Sequence, residues 1–309
     1  MAEQQYAPEG VMNELSISAV RSQLAALDAI PCVPAILIPV LRQLSEPSEN
    51  IDLQRVIELV ARDRLLAAQT LRMANSPLFG QSVQIDSVPA AALTLGPERM
   101  RAIATTCCVL RLAPSPAERF DPRVFWEHSL GCALVARQLA RRAYYADPEK
   151  AYLAGLLHDI EFIVNMMFFP DQFRQTLQRA TREKVALGAL EQKIFGFDHC
   201  SVGELLAARW LLGDDLQEVI RRHHESGQAL IDRALVGIVA ISDLLCRTSG
   251  LGYGYDEPLH LDLKTNPFVK MVAGELPSFI ELEWAGFLTE VQACARQVRN
   301  LVSVLYRTH

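Results

Sequence analysis

The stretch DLQRVIELVARDRLLAAQTLRMANSP, residues 52–77, reads as two amphipathic helices in succession. Asp52 is an N-cap, and Leu53, Val56, Ile57 and Val60 follow at the i, i+3, i+4, i+7 spacing that places them on one helical face. A second helix is predicted from about Arg64 to Ala74. It stops at Asn75-Ser76-Pro77, where Pro77 removes a backbone donor and pushes Ser76 out of the helical region. Upstream, Pro34 opens a helix that runs to about Leu44. Downstream, Gly96-Pro97 pairs the end of one helix with the start of the next, which continues through Cys107 and Cys108 to about Leu112. Helical periodicity persists along the rest of the chain, and no run sustains the alternation of a half-buried strand. The predicted fold class is all-α.

Four segments are expected. Residues 1–15 form a tail, and residues 16–122 a smaller helical subdomain that ends in a Pro-rich linker, Ala113-Pro114-Ser115-Pro116 through Asp121-Pro122. Residues 123–249 form a second helical unit. Residues 250–309 comprise a long loop, GLGYGYDEPLHLDLKTNP, and a final helix. On that helix Trp284, Phe287, Leu288, Val291, Cys294, Val298, Leu301 and Leu305 hold one apolar face, which is predicted to pack on the second unit.

With 309 residues the chain is long enough for two cores or one large one, at roughly 150 residues per domain. A hydrophobic share of 50% with 21% charged residues excludes a disordered or collagen-like chain. The net charge of −6 argues against a protein that lives by neutralising phosphate backbones. A helix-turn-helix around Gly96 is disfavoured too, because the following helix offers only Arg99 and Arg101 on an otherwise apolar segment. MAEQQYAPEG has no basic cluster or apolar core of a secretory signal, so a cytoplasmic location is expected. Apolar stretches such as Phe162–Pro170 and Ala234–Ile241 fall short of the roughly 18 residues of a membrane span. The seven cysteines form no CxxC pair and read as reduced core residues.

The chemistry-bearing residues concentrate in the second unit: His128, His158 with Asp159, His199, His223 with His224, and Asp243. They would come from successive helices, the way metal centres in helical bundles are assembled. Asp159 and Asp243 sit on strongly apolar segments, where a carboxylate is costly to bury unless it is paired or metal-bound. Imidazole with carboxylate suits Fe, Mn, Zn or Ni, and a carboxylate can bridge two ions. Simpler readings exist for each position alone. Any one histidine can be a core residue; His223 and His224, after Arg221 and Arg222, can be the cationic end of a helix; Asp243 can pair with Arg247 at i+4.

IPCVPAILIPVLRQLSEPSENIDLQRVIELVARDRLLAAQTLRMANSPLFG with SVPAAALTLGPERMRAIA resembles the first half of an HDOD domain, the HD-related output domain of bacterial signalling proteins. FWEHS, LAGLLHDI, GFDH and RRHHE, in that order, resemble its HD-superfamily half, so that the resemblance covers about residues 20–247. It implies an HD-type helical bundle preceded by a smaller helical subdomain. In catalytic HD-superfamily phosphohydrolases the pattern His, His-Asp, His, His-His, Asp holds two or more metals. By that resemblance Asp159 would bridge two divalent ions, Fe, Mn or Zn. His128, His158 and Asp243 would hold one, and His199, His223 and His224 the other.

The chain departs from the catalytic pattern HD-x-G-K, because Glu161 and Phe162 stand where Gly and Lys are expected, and no GYP element follows the His pair. A cation that would stabilise a transferring phosphoryl group is thus replaced by an apolar ring. The favoured reading is a non-catalytic signalling module that keeps a di-metal centre and binds other signalling proteins, with no nucleic acid or membrane as partner and a homodimer compatible with it. The alternative is a metal-dependent phosphohydrolase acting on a nucleotide or cyclic dinucleotide. It would need cations near the ions, with Arg221 and Arg222 the nearest candidates in sequence for anion binding and Arg137, Arg141 and Arg142 more distant ones.

Overall fold

The computed structural model describes residues 52–79, 84–112, 121–195, 197–227, 229–253, 259 and 261–306. The expected tail, the helix expected from Pro34 to Leu44, Cys32 and residues 113–120 of the expected linker lie outside them. The described residues are helical throughout, with no strand among them.

The opening pair forms as its caps dictate. Asp52 accepts from the Arg55 amide at 2.9 Å and starts α1 (Leu53–Ala61), whose Val56 and Val60 are fully buried while Leu53 and Ile57 flank the core. Asp63 caps α2 (Arg64–Ala74). The helix ends at Asn75 for a reason beyond Pro77: the Asn75 side chain donates to Leu71 O and Ile85 O and accepts from the Ile85 amide, each at 2.8 Å. That clamp ties the helix end to the segment entering α3 (Val88–Leu110). Within α3, Gly96 leaves the helical region at φ 80°, ψ 170°, so the predicted stop and start survive as a kink. Beyond it, Ala102 to Val109 are buried, which makes this segment core.

The bundle is built from α4 (Pro122–Arg142) and α5 (Pro148–Leu157), then α6 (Glu161–Phe168), α7 (Pro170–Glu183), α8 (Leu187–Ile194), α9 (His199–Arg209), α10 (Asp214–Arg222) and α11 (Arg233–Thr248). α4 and α5 form its closest pair, because Gly155 lets the backbones meet: a Cβ there would stand 2.8 Å from Cys132 O. α11 packs on α4, α9 on α10, and α7 on α8. After the segment 249–266 come α12 (Pro267–Glu275), a 3-10 turn (Pro277–Glu281) and α13 (Trp284–Tyr306).

α13 packs on α4, and it also touches α2 and the 3-10 turn Pro77–Phe79. Arg137 of α4 lies between the rings of Phe79 and Tyr152, 5.1 and 5.2 Å from their centroids, and 3.5 Å from buried Glu149. The buried side chains of α1–α3 and of the bundle form one continuous cluster. Contrary to the expectation that every apolar stretch falls short of a membrane span, Pro148–Phe168 is long and apolar enough by composition. Its most apolar window is 89% buried within the protein, which identifies it as core.

Candidate metal centre

Five pieces of local structure deliver the seven residues. His128 is on α4, His158 caps the C-terminus of α5, and Asp159 occupies the turn before α6. His199 opens α9, whose N-cap Asp198 accepts from the Ser201 amide at 2.8 Å. His223 closes α10 with His224 beside it, and Asp243 lies on α11. All except His224 are buried.

The fold brings the seven together. His128 Nε2 is 3.3 Å from Asp243 Oδ1 and 3.4 Å from His158 Nε2. His158 Nε2 is 3.2 Å from Asp159 Oδ2; on the other side of the same carboxylate, His223 Nε2 is 3.1 Å and His199 Nε2 3.9 Å from Oδ1. Asp159 therefore stands between a His128–His158–Asp243 group and a His199–His223–His224 group. Donor atoms within each group lie within 4.8 Å of one another, with the sulfur of Cys132 inside the first group and that of Cys200 inside the second.

The tautomers are set from behind. His128 Nδ1 donates to Leu251 O at 2.6 Å, His158 Nδ1 to Gly155 O at 2.8 Å, and His223 Nδ1 to Val219 O and Ile220 O at 3.1 Å. A carbonyl only accepts, so each Nδ1 carries a proton and each Nε2 is turned inward, where it can offer a lone pair to a metal. His199 Nδ1 likewise donates to Glu191 Oε2 at 2.5 Å, and its amide donates to the same oxygen. This backing by carbonyl or carboxylate is the pattern that orients metal-ligating histidines. Inside the ring, Asp159 Oδ1, Asp243 Oδ1, His199 Nε2 and His223 Nε2 are buried without a hydrogen-bond partner among the described residues. A divalent cation would satisfy these inward nitrogens and carboxylate oxygens together, and the donor set fits one.

The electrostatics carry the same demand. Burial disfavours the charged forms, yet His158 and His223 hold the Asp159 carboxyl well below its ordinary value, and Arg247 with His128 does the same for Asp243. Burial likewise opposes protonation of His158, but Asp159 and Asp243 raise its pKa above 6.5; Glu191 and Cys200 raise that of His199 further.

Several contributors were not legible as site residues. Tyr253, in a stretch read as loop, donates its hydroxyl to Asp159 Oδ2, and Leu251 supplies the carbonyl behind His128. Arg247 pairs with Asp243 at 2.7 Å, the i+4 contact anticipated as a simpler reading, and it also faces the pocket. Beside the ring lies a cavity of about 250 Å³ lined by Asp159, Phe162, His199, His224, Arg247 and Tyr253 among others. Arg221 and Arg222 do not line it: they pair with Glu204 and Glu225. Arg137, Arg141 and Arg142 are engaged with Glu149, Glu149 and Glu290. Phe162 is buried at the pocket wall, stacked on Tyr253 at 4.4 Å and edge-on to Phe173 at 5.4 Å.

The HDOD domain family model matches residues 30–226. The chain belongs to the HDOD family. Among solved structures, this HDOD protein is similar to an HDOD domain protein of unknown function from Geobacter sulfurreducens. The two are 26% identical with a TM-score of 0.75, over 92% of this chain and 99% of that one. It shares its fold with a protein from Shewanella amazonensis provisionally named a phosphohydrolase, at 20% identity and a TM-score of 0.69, over 93% and 98% of the two chains. It is also 23% identical over 247 residues to an uncharacterized protein of Treponema pallidum. That match takes in 77% of this chain and spans about half, 47%, of the relative's length. The HDOD match contains six of the seven candidate ligands and ends before Asp243, Arg247 and Tyr253.

Proposed function

We propose that this HDOD protein is a cytoplasmic signalling module that acts through protein–protein contacts and holds two divalent ions, Fe, Mn or Zn, without hydrolysing phosphoesters. The observation that carries the reading is a ring of inward-facing imidazole and carboxylate donors closed on its pocket side by the neutral Phe162 ring. His128, His158 and Asp243 would hold one ion, and His199, His223 and His224 the other, with Asp159 shared. Ions bound there would supply Lewis-acid charge and fix α4 and α11 relative to the ends of α5, α9 and α10. The helical surfaces so fixed would be what other signalling proteins, or a second copy of the chain, read.

A phosphohydrolase reading keeps one observation in its favour: Arg247 lies on the pocket wall, where it could face an anionic substrate of nucleotide or cyclic dinucleotide type. Against it stand the pairing of Arg221 and Arg222 elsewhere and the stacked ring of Phe162 at the lysine position. The two readings separate in an assay of metal-loaded protein against p-nitrophenyl phosphate, bis-p-nitrophenyl phosphate and cyclic dinucleotides. Bound metal with no turnover is expected. Turnover that disappears in Asp159→Ala would replace the module reading with the hydrolase.

A further inference from the structure

Glu161 is a buried acid without a hydrogen-bond partner on another of the described residues. It is 0% exposed, and neither carboxylate oxygen is satisfied among them. A carboxylate so placed is costly, and such a group calls for a physical reason. Its surroundings give one. One oxygen each of Asp159 and Glu161 and one nitrogen of His199 lie within 4.8 Å of one another, and Asp159 Oδ1 and His199 Nε2 are themselves buried without hydrogen-bond partners. Room for the acid comes from α9. Gly203 follows His199 by one turn, and a Cβ there would stand 2.8 Å from Glu161 Oε2 and 2.5 Å from Ile220 Cγ2. A glycine in one helix thus makes space for a carboxylate at the start of another, beside the ring of donors.

We propose that Glu161 is a further ligand of the centre and supplies a carboxylate oxygen to an ion held with His199 and Asp159. The inference rests on reading the ring as a metal site and goes beyond it by naming a donor that the resembled pattern, with Gly at this position, does not contain. The consequence is selectivity between ions. An imidazole set joined by two carboxylates offers more oxygen and a higher coordination number than a tetrahedral zinc site prefers, so Glu161 shifts the His199 side toward Fe(II) or Mn(II) relative to Zn(II), against the intrinsic order in which Zn(II) binds more tightly.

The test uses the full chain, stripped by chelator, with Mn(II) binding followed by electron paramagnetic resonance and Zn(II) titrated in parallel. Wild type, Glu161→Gln and Glu161→Ala are compared, and folding is checked by circular dichroism. Wild type is expected to bind two Mn(II). Both variants should weaken one Mn(II) site at least about tenfold, the range by which even outer-sphere changes weaken metal affinity, and should weaken Zn(II) less. Wild-type Mn(II) affinity in both folded variants would overturn the role of Glu161 while leaving the metal centre in place. Failure of both variants to fold would make the acid part of the fold and overturn the inference as well. Wild-type protein that takes up neither ion would overturn the inference together with the reading beneath it.

Discussion

Phe162 illustrates how one residue can belong to a site and to the core at once. Its ring is buried, stacks on Tyr253, and lies 6.2 Å from Phe125, so it closes the pocket and holds the Tyr253 hydroxyl against Asp159. Phe162→Ala is therefore expected to cost about 3–5 kcal/mol, read as a lower urea midpoint with little change in slope. A loss below about 1 kcal/mol would show that the ring is not packed as described. The ionisable residues make a second prediction, for metal-free protein. His158 and His199 have folded pKa values raised above 6.5, so their stabilisation is complete below pH 6.5 and is lost as pH rises through the raised values. Asp159 and Asp243 are depressed below 3.8, so theirs is present above pH 3.8 and is lost as pH falls through the lowered values. With chelator, the melting temperature should fall on the alkaline side of pH 6.5. Bound metal, which replaces those protons, should remove the fall. A flat profile with chelator from pH 6.5 to 9 would contradict the assignment. Of the candidate site, the seven residues that the fold brings together could be named beforehand because their types and their apolar contexts are written in the chain. Tyr253, Glu191 and the Leu251 carbonyl were not, since each acts across a tertiary contact that no local pattern encodes: Tyr253 reaches Asp159 from a segment that reads only as loop.

Elements were legible where caps and breakers announce them. Asp52, Asp63 and Asn75-Ser76-Pro77 bound α1 and α2 as their chemistry requires, and Gly96 marks the bend in α3. The second unit was readable only as helical. Its division into α4 to α11 depends in part on turns such as 158–160 between α5 and α6, which carries neither Gly nor Pro and places His158 and Asp159 at the ring. The packing of α4 on α5 was hidden too, since Gly155 looks like any small residue on an apolar helix. Its Cβ position lies against the Cys132 backbone, at 2.8 Å from the carbonyl oxygen and 2.9 Å from its carbon, so no flexible side chain can yield. Gly155→Ala is expected to force the helices apart and cost about 1–3 kcal/mol, measured by chemical denaturation. Because α4 carries His128 and α5 ends at His158, the same change should weaken metal retention. A neutral or stabilising effect would mean that the close approach is absent in solution.

For the whole molecule, the ring lies where α4, α5, α9, α10 and α11 converge, and the core continues without a break from there to α1–α3. Arg137, held between Phe79 and Tyr152, and α13, which touches both α4 and α2, tie the helices before the expected linker to those after it. Pattern reading could place two groups of helices in order along the chain. It could not show that they share one interior, because that depends on which faces meet. In the proposed assembly a charge at the centre organises helices from distant parts of the sequence, and the central claim is that this charge is a pair of divalent ions. The direct test is metal content by mass spectrometry on full-length protein purified without chelator or affinity nickel, beside His158→Ala and Asp159→Ala. About two equivalents of Fe, Mn or Zn in the wild type, lost from both folded variants, is the predicted result. Folded wild-type protein that carries no metal and takes up none on addition would contradict the account.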